Sequence, residues 1–409
     1  MGKLVTTTNS PMNKSIHFTG QPTFSQLIKL IPKDLVARHI SECKSDRYYK
    51  KFSTWHHLTT MLFACYGHCD SLREVVTGMK ALGGRLQSSD IRFLPARSTF
   101  SEANGKRSSE VFERIYFSLK NHWDNFLPDS RLKEPIYLMD STTIKLFQEI
   151  FKGSGLSKSD GRRKGGLKVH MAVRSDQSVP SVVHITQAAC NDVTFAKHFY
   201  LSSGSTIIMD RGYRDYNQYN FWTHNGVRWI TRMHPHSFIV KQHLFKVLPE
   251  EKQKGVRRDQ RIQLGFPQKR ISKVIARQIT YIDPATKKKF DFITNDFQST
   301  PSTIAQLYKK RWSIELLFKR LKQNMPLHYF LGDNQNAIKI QIWCALIADL
   351  LLQVVLKQVK RKWAFSNFVS IVRLHLFNYL NIYSFLENPE RATINPMLPS
   401  PQLKIPLTG

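Results

Sequence analysis

Residues 307–324 read LYKKRWSIELLFKRLKQN, and the placing of their polar groups decides how the rest of the chain is understood. At about 100° per residue, an α-helix carries Tyr308, Arg311, Glu315 and Lys322 to about 0°, 300°, 340° and 320°, a single stripe. Leu307, Ile314, Leu317, Phe318 and Leu321 fall between about 180° and 280°, so an apolar face borders that stripe directly. The spacing predicts an amphipathic helix with four polar groups at the margin of a buried contact. Taken alone, Arg311 and Glu315 are an i,i+4 pair on a solvated face, worth about 0.2–0.5 kcal/mol.

The chain has 409 residues, 41% of them hydrophobic, enough for two or three domains with real cores. Its 61 Lys and Arg against 30 Asp and Glu give a net charge of +31 that no single tail carries. Such an excess points to a polyanionic partner, nucleic acid first. Five scattered cysteines without a CxxC pair fit a reducing cytosol rather than a disulfide framework. Cys65, His68 and Cys69 lack a second ligand pair at zinc-finger spacing. No apolar signal core opens the chain. Residues 338–356 contain Lys339, Gln341, Asp349 and Gln353, which predicts a buried helix and no membrane span.

The segment from Phe24 to Ala81 shows helical periodicity, with Ser53 as an N-cap and Ser71 with Glu74 as a capping box. A further helix ends near Trp123, after a basic loop through Lys106 and Arg107. Strand signals begin at Pro135. They comprise IYLMD (136–140), LKVHMAVRS and VPSVVHIT joined by a turn at Asp176–Ser178, TIIMD (206–210), RWITRM (228–233) and KFDFITND (289–296), with a helix near 193–201. Residues 237–288 read as a basic, mainly β insertion. Thr300 caps the next helix with Pro301 at its first position. An amphipathic helix spans about 363–386, residues 1–20 are polar and loose, and the tail after Pro389 is Pro-rich and extended.

Two of these strands, IYLMD and TIIMD, end in a carboxylate, Asp140 and Asp210, where burial of a charge is unfavourable without compensation. A strand-end turn accounts for either aspartate alone. Glu315 brings a third carboxylate beside the helix face that would pack on this sheet. Three such groups meeting would repel by roughly 4 kcal/mol per pair at 4 Å unless a cation intervenes. Hard oxygen ligands favour Mg²⁺ or Mn²⁺, and two such ions suit phosphoryl transfer on DNA. Glu149, Asp192 and Asp215 do not end apolar runs and rank lower as ligands.

The Tyr308, Arg311, Glu315, Lys322 spacing resembles the signature of the DDE transposases of bacterial insertion sequences, specifically the insertion-sequence-four group. The segments around MDSTTIK and MDRGY are similar to its two aspartate motifs, and RSTFSEANGKR to its upstream region. The resemblance covers about residues 24–385. It implies an α/β fold: a ribonuclease-H-like mixed sheet flanked by helices, a helical N-terminal domain that binds double-stranded DNA, and a β-rich insertion. It also implies Asp140, Asp210 and Glu315 as catalytic metal ligands, with Tyr308, Arg311 and Lys322 contacting the DNA backbone. Trp312 is a candidate stacking platform for a flipped base, or else a core side chain. Lys168 and His170, on one face of a strand, are candidate DNA contacts.

The expected organisation is a flexible N-terminus (1–22), a helical DNA-binding region (23–130), a catalytic core (131–236 and 289–358) interrupted by the insertion (237–288), and a C-terminal region (359–409). The expected activity is cut-and-paste transposition in a bacterial cytoplasm, by a nucleoid-associated dimer holding paired ends. A nuclease that cuts without joining, and a non-catalytic DNA-binding derivative, are the alternatives.

Overall fold

The computed structural model describes residues 21–392 apart from 90, 92, 129–133, 146–165, 189, 191, 198, 266–272 and 328. The expected loose N-terminus up to residue 20, the tail beyond Ala392, and Glu149 lie outside the described residues.

Six helices open the chain: α1 (Thr23–Ile28), α2 (Lys33–Glu42), α3 (Thr54–Gly67), α4 (Leu72–Leu82), α5 (Arg97–Lys106) and α6 (Glu110–His122). Ser53 caps α3 as its position predicts, accepting from the His56 N–H. The Ser71 hydroxyl accepts from the Glu74 N–H at 3.2 Å, but Glu74 reaches back to the Asp70 N–H at 2.8 Å instead of Ser71. The capping box is therefore offset by one residue. The basic loop expected at Lys106 and Arg107 is corrected in part, because Arg107 is only 2% exposed. Its guanidinium donates to the Phe52 carbonyl at 2.7 Å, pairs with Asp46 and lies 4.0 Å above the Tyr49 ring. A planar cation with this many donors tolerates burial only when so enclosed.

One nine-stranded sheet follows: β1 (Ile136–Lys145), β2 (Gly166–Arg174), β3 (Pro180–Gln187), β4 (Thr206–Met209), β5 (Arg228–Arg232), β6 (Ile239–Leu244), β7 (Val256–Leu264), β8 (Val274–Ile282) and β9 (Lys289–Thr294). Their order is β3-β2-β1-β4-β5-β9-β8-β7-β6. β1 to β3 form an antiparallel meander, β1, β4 and β5 run parallel, and β9 to β6 continue antiparallel. The segment 237–288 is strand-rich as expected, and its strands extend the same sheet through β8 and β9. β4 is buried along its whole length, as a parallel strand covered on both faces must be. Asp140 corrects one expectation, for β1 does not end there but runs on for five residues beside β2. The helix expected near 193–201 is the short α7 (Asp192–Ala196), and α8 (Tyr216–His224) was not anticipated. A further short helix, α9 (Pro249–Gln253), precedes β7.

The opening stretch is not one continuous helix. It splits into α10 (Pro301–Lys309), capped by Thr300 as predicted, and α11 (Trp312–Asn324). Across the joint, the N–H groups of Arg311, Ser313 and Ile314 bond three residues back rather than four. Such a 3₁₀-type turn winds each residue by about 120°, so the polar stripe is rotated as it crosses Arg311. α12 (Gln335–Gln358) comes next, and the amphipathic segment expected over 363–386 divides into α13 (Phe365–Leu374) and α14 (Ile382–Glu387).

α12 is long and apolar enough to cross a membrane, yet 94% of its apolar window is buried within the protein. Helices α3, α5 and α6 pack along it from one side and α11 meets it from another. Two of its polar residues, Gln341 and Asp349, find partners inside the protein. Gln341 accepts from the Leu331 N–H and donates to the Tyr329 carbonyl, while Asp349 pairs with Arg320 at 2.7 Å. Burial pushes the Asp349 carboxyl above the ordinary range, against the pull of Arg320.

Removing one member of a buried pair leaves an uncompensated charge, so Arg320→Ala is expected to destabilise the fold by about 3–5 kcal/mol in urea denaturation, and Arg320→Met with Asp349→Leu to recover most of it. A second outcome concerns His57, buried among Phe52, Phe100 and Phe112 with Asn104 as partner. Burial, then Arg107, lowers its pKa from 6.5 to about 3. The unfolded chain thus takes up a proton below pH 6.5 that the folded one refuses. The stability advantage of wild type over His57→Gln is expected to shrink by up to about 1.4 kcal/mol per pH unit as pH falls from 6.5 toward 3, read from denaturation midpoints.

Candidate active site

Parallel strands finish on the same edge of a sheet, the edge where α/β proteins place their ligands. In the register of β1 with β4, Met139 lies opposite Met209, so Asp140 and Asp210 are the next residues on adjacent strands. Arg232 ends β5, the strand beyond β4. α10 and α11 bring Tyr308, Arg311 and Glu315 against this edge.

Arg311 spends its fork on two acids. Nη1 donates to Asp140 Oδ2 at 2.8 Å and Nη2 to Glu315 Oε1 at 2.5 Å. Arg232 Nη2 donates to Asp210 Oδ1 at 2.6 Å, and the Tyr308 hydroxyl lies 3.4 Å from the same oxygen. Both guanidiniums stand about 6 Å from the Tyr308 ring centre, at 6.0 Å for Arg232 and 5.8 Å for Arg311. The two aspartates are driven apart electrostatically. Burial pushes Asp140 up to about 6, with Asp210 and Glu315 adding to the rise, while the Ser141 N–H and Arg311 oppose it. Burial acts on Asp210 in the same sense, but the bond and charge of Arg232 hold its carboxyl below the ordinary value.

The remaining anticipated residues surround this centre. Lys322 Nζ donates to the Thr143 carbonyl on β1 at 3.3 Å. Trp312 is 59% exposed at the start of α11, which removes the core reading of that side chain. Lys168 and His170 share a face of β2, as alternation requires, and both turn to Asp192, with Nζ at 3.2 Å and Nδ1 at 3.5 Å from its Oδ1. His170 is fully buried and stacked on Phe195, and burial lowers its pKa to about 4. Asp215 caps α8 through the Asn217 and Gln218 N–H groups.

Two members went unrecognised in the sequence. Arg232 ends an apolar strand in a charge, the same signal that singled out the aspartates, but a cation was not sought there. Asp192 ranks low in the sequence because it does not end an apolar run. It accepts from Ser141 at 2.9 Å, immediately beside Asp140, through a contact that only the fold creates.

Carboxylate oxygens are the hard donors that Mg²⁺ and Mn²⁺ prefer, and a positive charge already lies between Asp140 and Glu315. The donor chemistry therefore fits a divalent ion. Among the described residues no three acidic, His or Cys side chains are grouped closely enough to cage one as they stand, and arginines pair with all three carboxylates. Asp140 and Glu315 share the Arg311 guanidinium, and Asp210 lies near enough for its charge to act on Asp140.

A family model described as transposase DDE domain matches residues 131–351, and one described as a domain of unknown function, DUF4372, matches 19–91. The chain is 30% identical over 317 residues to the y4zB protein of Sinorhizobium fredii, named as a transposase, covering 77% of this chain and 86% of that one. It is 27% identical to a protein named as the transposase for insertion sequence element IS4SA of Synechocystis, over 63% of this chain and 70% of that one. It is also 26% identical to one named for element IS5377 of Geobacillus stearothermophilus, over 59% and 63% respectively. A solved piggyBac transposase synaptic complex with hairpin DNA superposes at TM-score 0.39 and 11% identity, over 97% of this chain and 84% of that one, too low to carry an argument. By its domain match and its relatives, the chain belongs to the DDE transposases of insertion sequence elements.

Proposed function

We propose that this protein is a cut-and-paste transposase of the insertion-sequence-four group. It binds the terminal inverted repeats of its element, cleaves the ends by metal-dependent phosphodiester hydrolysis, and joins the freed 3′-hydroxyls to target DNA. The observation that carries this reading is that Asp140 and Glu315 share the Arg311 guanidinium while the charges of Asp210 and Glu315 act on Asp140, three acids drawn from positions far apart in a chain of net charge +31.

A mixed sheet with the first two carboxylates on adjacent strands and the third on a later helix supports a ribonuclease-H-like core over 131–236 and 289–358. Asp140, Asp210 and Glu315 would hold Mg²⁺ or Mn²⁺. Bound there, divalent ions supply an activated oxygen nucleophile and neutralise the leaving oxygen. Arg311 and Lys322 bind backbone phosphates, the first as a fork and the second as a point charge. Tyr308 adds a hydrogen bond to the DNA backbone, and exposed Trp312 offers a face on which an unpaired base can stack. Lys168 approaches DNA at the rim, whereas His170 is fully buried and, with Asp192, holds the strand beside Asp140. The helical region 23–130 recognises the element ends, the basic strands of 237–288 track the DNA backbone, and a dimer pairs two ends in the bacterial cytoplasm, at the nucleoid.

Because α3, α5 and α6 cover α12, deleting the N-terminal helices would expose its apolar flank; end recognition is better probed on the intact chain. The direct test incubates protein and Mn²⁺ with DNA carrying the inverted repeats that flank its own element, and maps products at nucleotide resolution. Cuts at the element ends followed by joining support transposition. Cuts without joining of pre-cut ends indicate the nuclease alternative.

Asp140→Asn, Asp210→Asn and Glu315→Gln are each expected to bring cleavage below detection while end binding in a gel-shift assay stays within a few-fold; persistent cleavage in any one removes that residue from the ligand set. Binding is expected to weaken with salt at a slope of roughly −0.9 per phosphate neutralised in a plot of log affinity against log salt, and a flat response refutes the basic surface.

A further inference from the structure

We propose that the Arg311 guanidinium is the resting counter-cation of the acidic centre, so that a divalent ion enters by displacing it from Asp140 and Glu315. The inference rests on the metal reading above and goes beyond it, since it makes one side chain the gate for the ion.

Three observations lead there. First, each terminal nitrogen of Arg311 is committed to a different carboxylate, Asp140 at 2.8 Å and Glu315 at 2.5 Å. Such a bridge neutralises both acids and spends the fork that a phosphate would otherwise engage. Second, the bridge is incomplete, because the buried Arg311 Nε has no hydrogen-bond partner. A guanidinium carries five N–H donors, so another acceptor can satisfy it better than the resting contacts do. Third, the Tyr308 ring lies 5.8 Å from the Arg311 carbon that bears the nitrogens, and offers its π-face to a guanidinium released from the carboxylates.

A divalent ion competes with the guanidinium for the charge of these carboxylates, because Arg311 already holds Asp140 Oδ2 and Glu315 Oε1. A divalent ion on Asp140 and Glu315 repels the guanidinium, and the guanidinium in place excludes the ion. Linkage then makes the effect reciprocal: an anion that takes Arg311 raises the affinity of the carboxylates for metal by the same factor that metal raises its affinity for the anion. A backbone phosphate is such an anion. The metal-free protein is thereby held with its acids neutralised until a polyanion draws Arg311 away.

The test is Mn²⁺ binding to the full-length protein without DNA, followed by the electron paramagnetic resonance signal of the free ion. Arg311→Met is expected to bind Mn²⁺ at least about tenfold more tightly than wild type, within the 5–150-fold range usual for coupled sites. Arg311→Lys, which keeps one charge, is expected to lie between them. Millimolar guanidinium is expected to weaken Mn²⁺ binding to Arg311→Met and to leave wild type unchanged. Adding Asp140→Asn to Arg311→Met is expected to abolish the gain. If Arg311→Met does not fold, Arg311→Gln takes its place in each comparison. Equal or weaker binding by the folded variant overturns the inference alone, as does a gain that survives Asp140→Asn. Absence of Mn²⁺ binding in every protein, wild type included, overturns the metal reading with it.

Discussion

The bridge that Arg311 makes between Asp140 on β1 and Glu315 on α11 holds the functional edge of this protein together. A strand and a helix 171 residues apart in the chain meet there through a pair of charge-assisted hydrogen bonds. Without a cation between them, the two carboxylates would push α11 off the sheet. With it, the repulsion becomes an attachment, and Arg232 performs the same service for Asp210 one strand away. The acids are thus kept in the fold by positive charge of its own making, which is the condition for placing so much negative charge in one part of the structure.

Behind that edge, rigidity comes from α12. Its apolar surface is wrapped by helices from the N-terminal region and by α11, so the segment that carries Glu315 and the segment expected to recognise DNA share one core. The two ends of the described chain are also sewn together. The Thr23 and Phe24 N–H groups bond to the Asn378 and Leu376 carbonyls, and Gln26 reaches Leu380 and Ile382. The helical region therefore belongs to the same packed body that positions the acids. The half-buried Arg320 ties α11 to α12 through the buried Asp349.

The nine-stranded sheet has a consequence for the basic insertion. Strands β6 to β8 are hydrogen-bonded through β9 to β5, so they stand as an extension of the catalytic sheet. The backbone positions of the Lys and Arg residues on those strands are fixed relative to Asp210 and Arg232. A continuous backbone ladder transmits position far better than a flexible tether would.

Much was legible in the linear pattern. Helical periodicity located α1 to α4 and α12, the caps Ser53 and Thr300 marked true helix starts, and apolar runs ending in charge picked out Asp140 and Asp210. Those signals are local, set by backbone periodicity and by the need to satisfy the first N–H groups of a helix. The polar residues of α12, similarly, foretold its burial in protein. What the linear pattern could not contain was partnership. That Arg311 would close on Asp140 instead of facing outward, that Arg232 would neutralise Asp210, that Asp192 would collect Ser141, Lys168 and His170, and that Arg107 would turn inward were decided by strand order and helix docking. A side chain's charge is a property of its residue, but the energy of that charge depends on which distant groups the fold brings within a few ångströms, and only the tertiary structure supplies them.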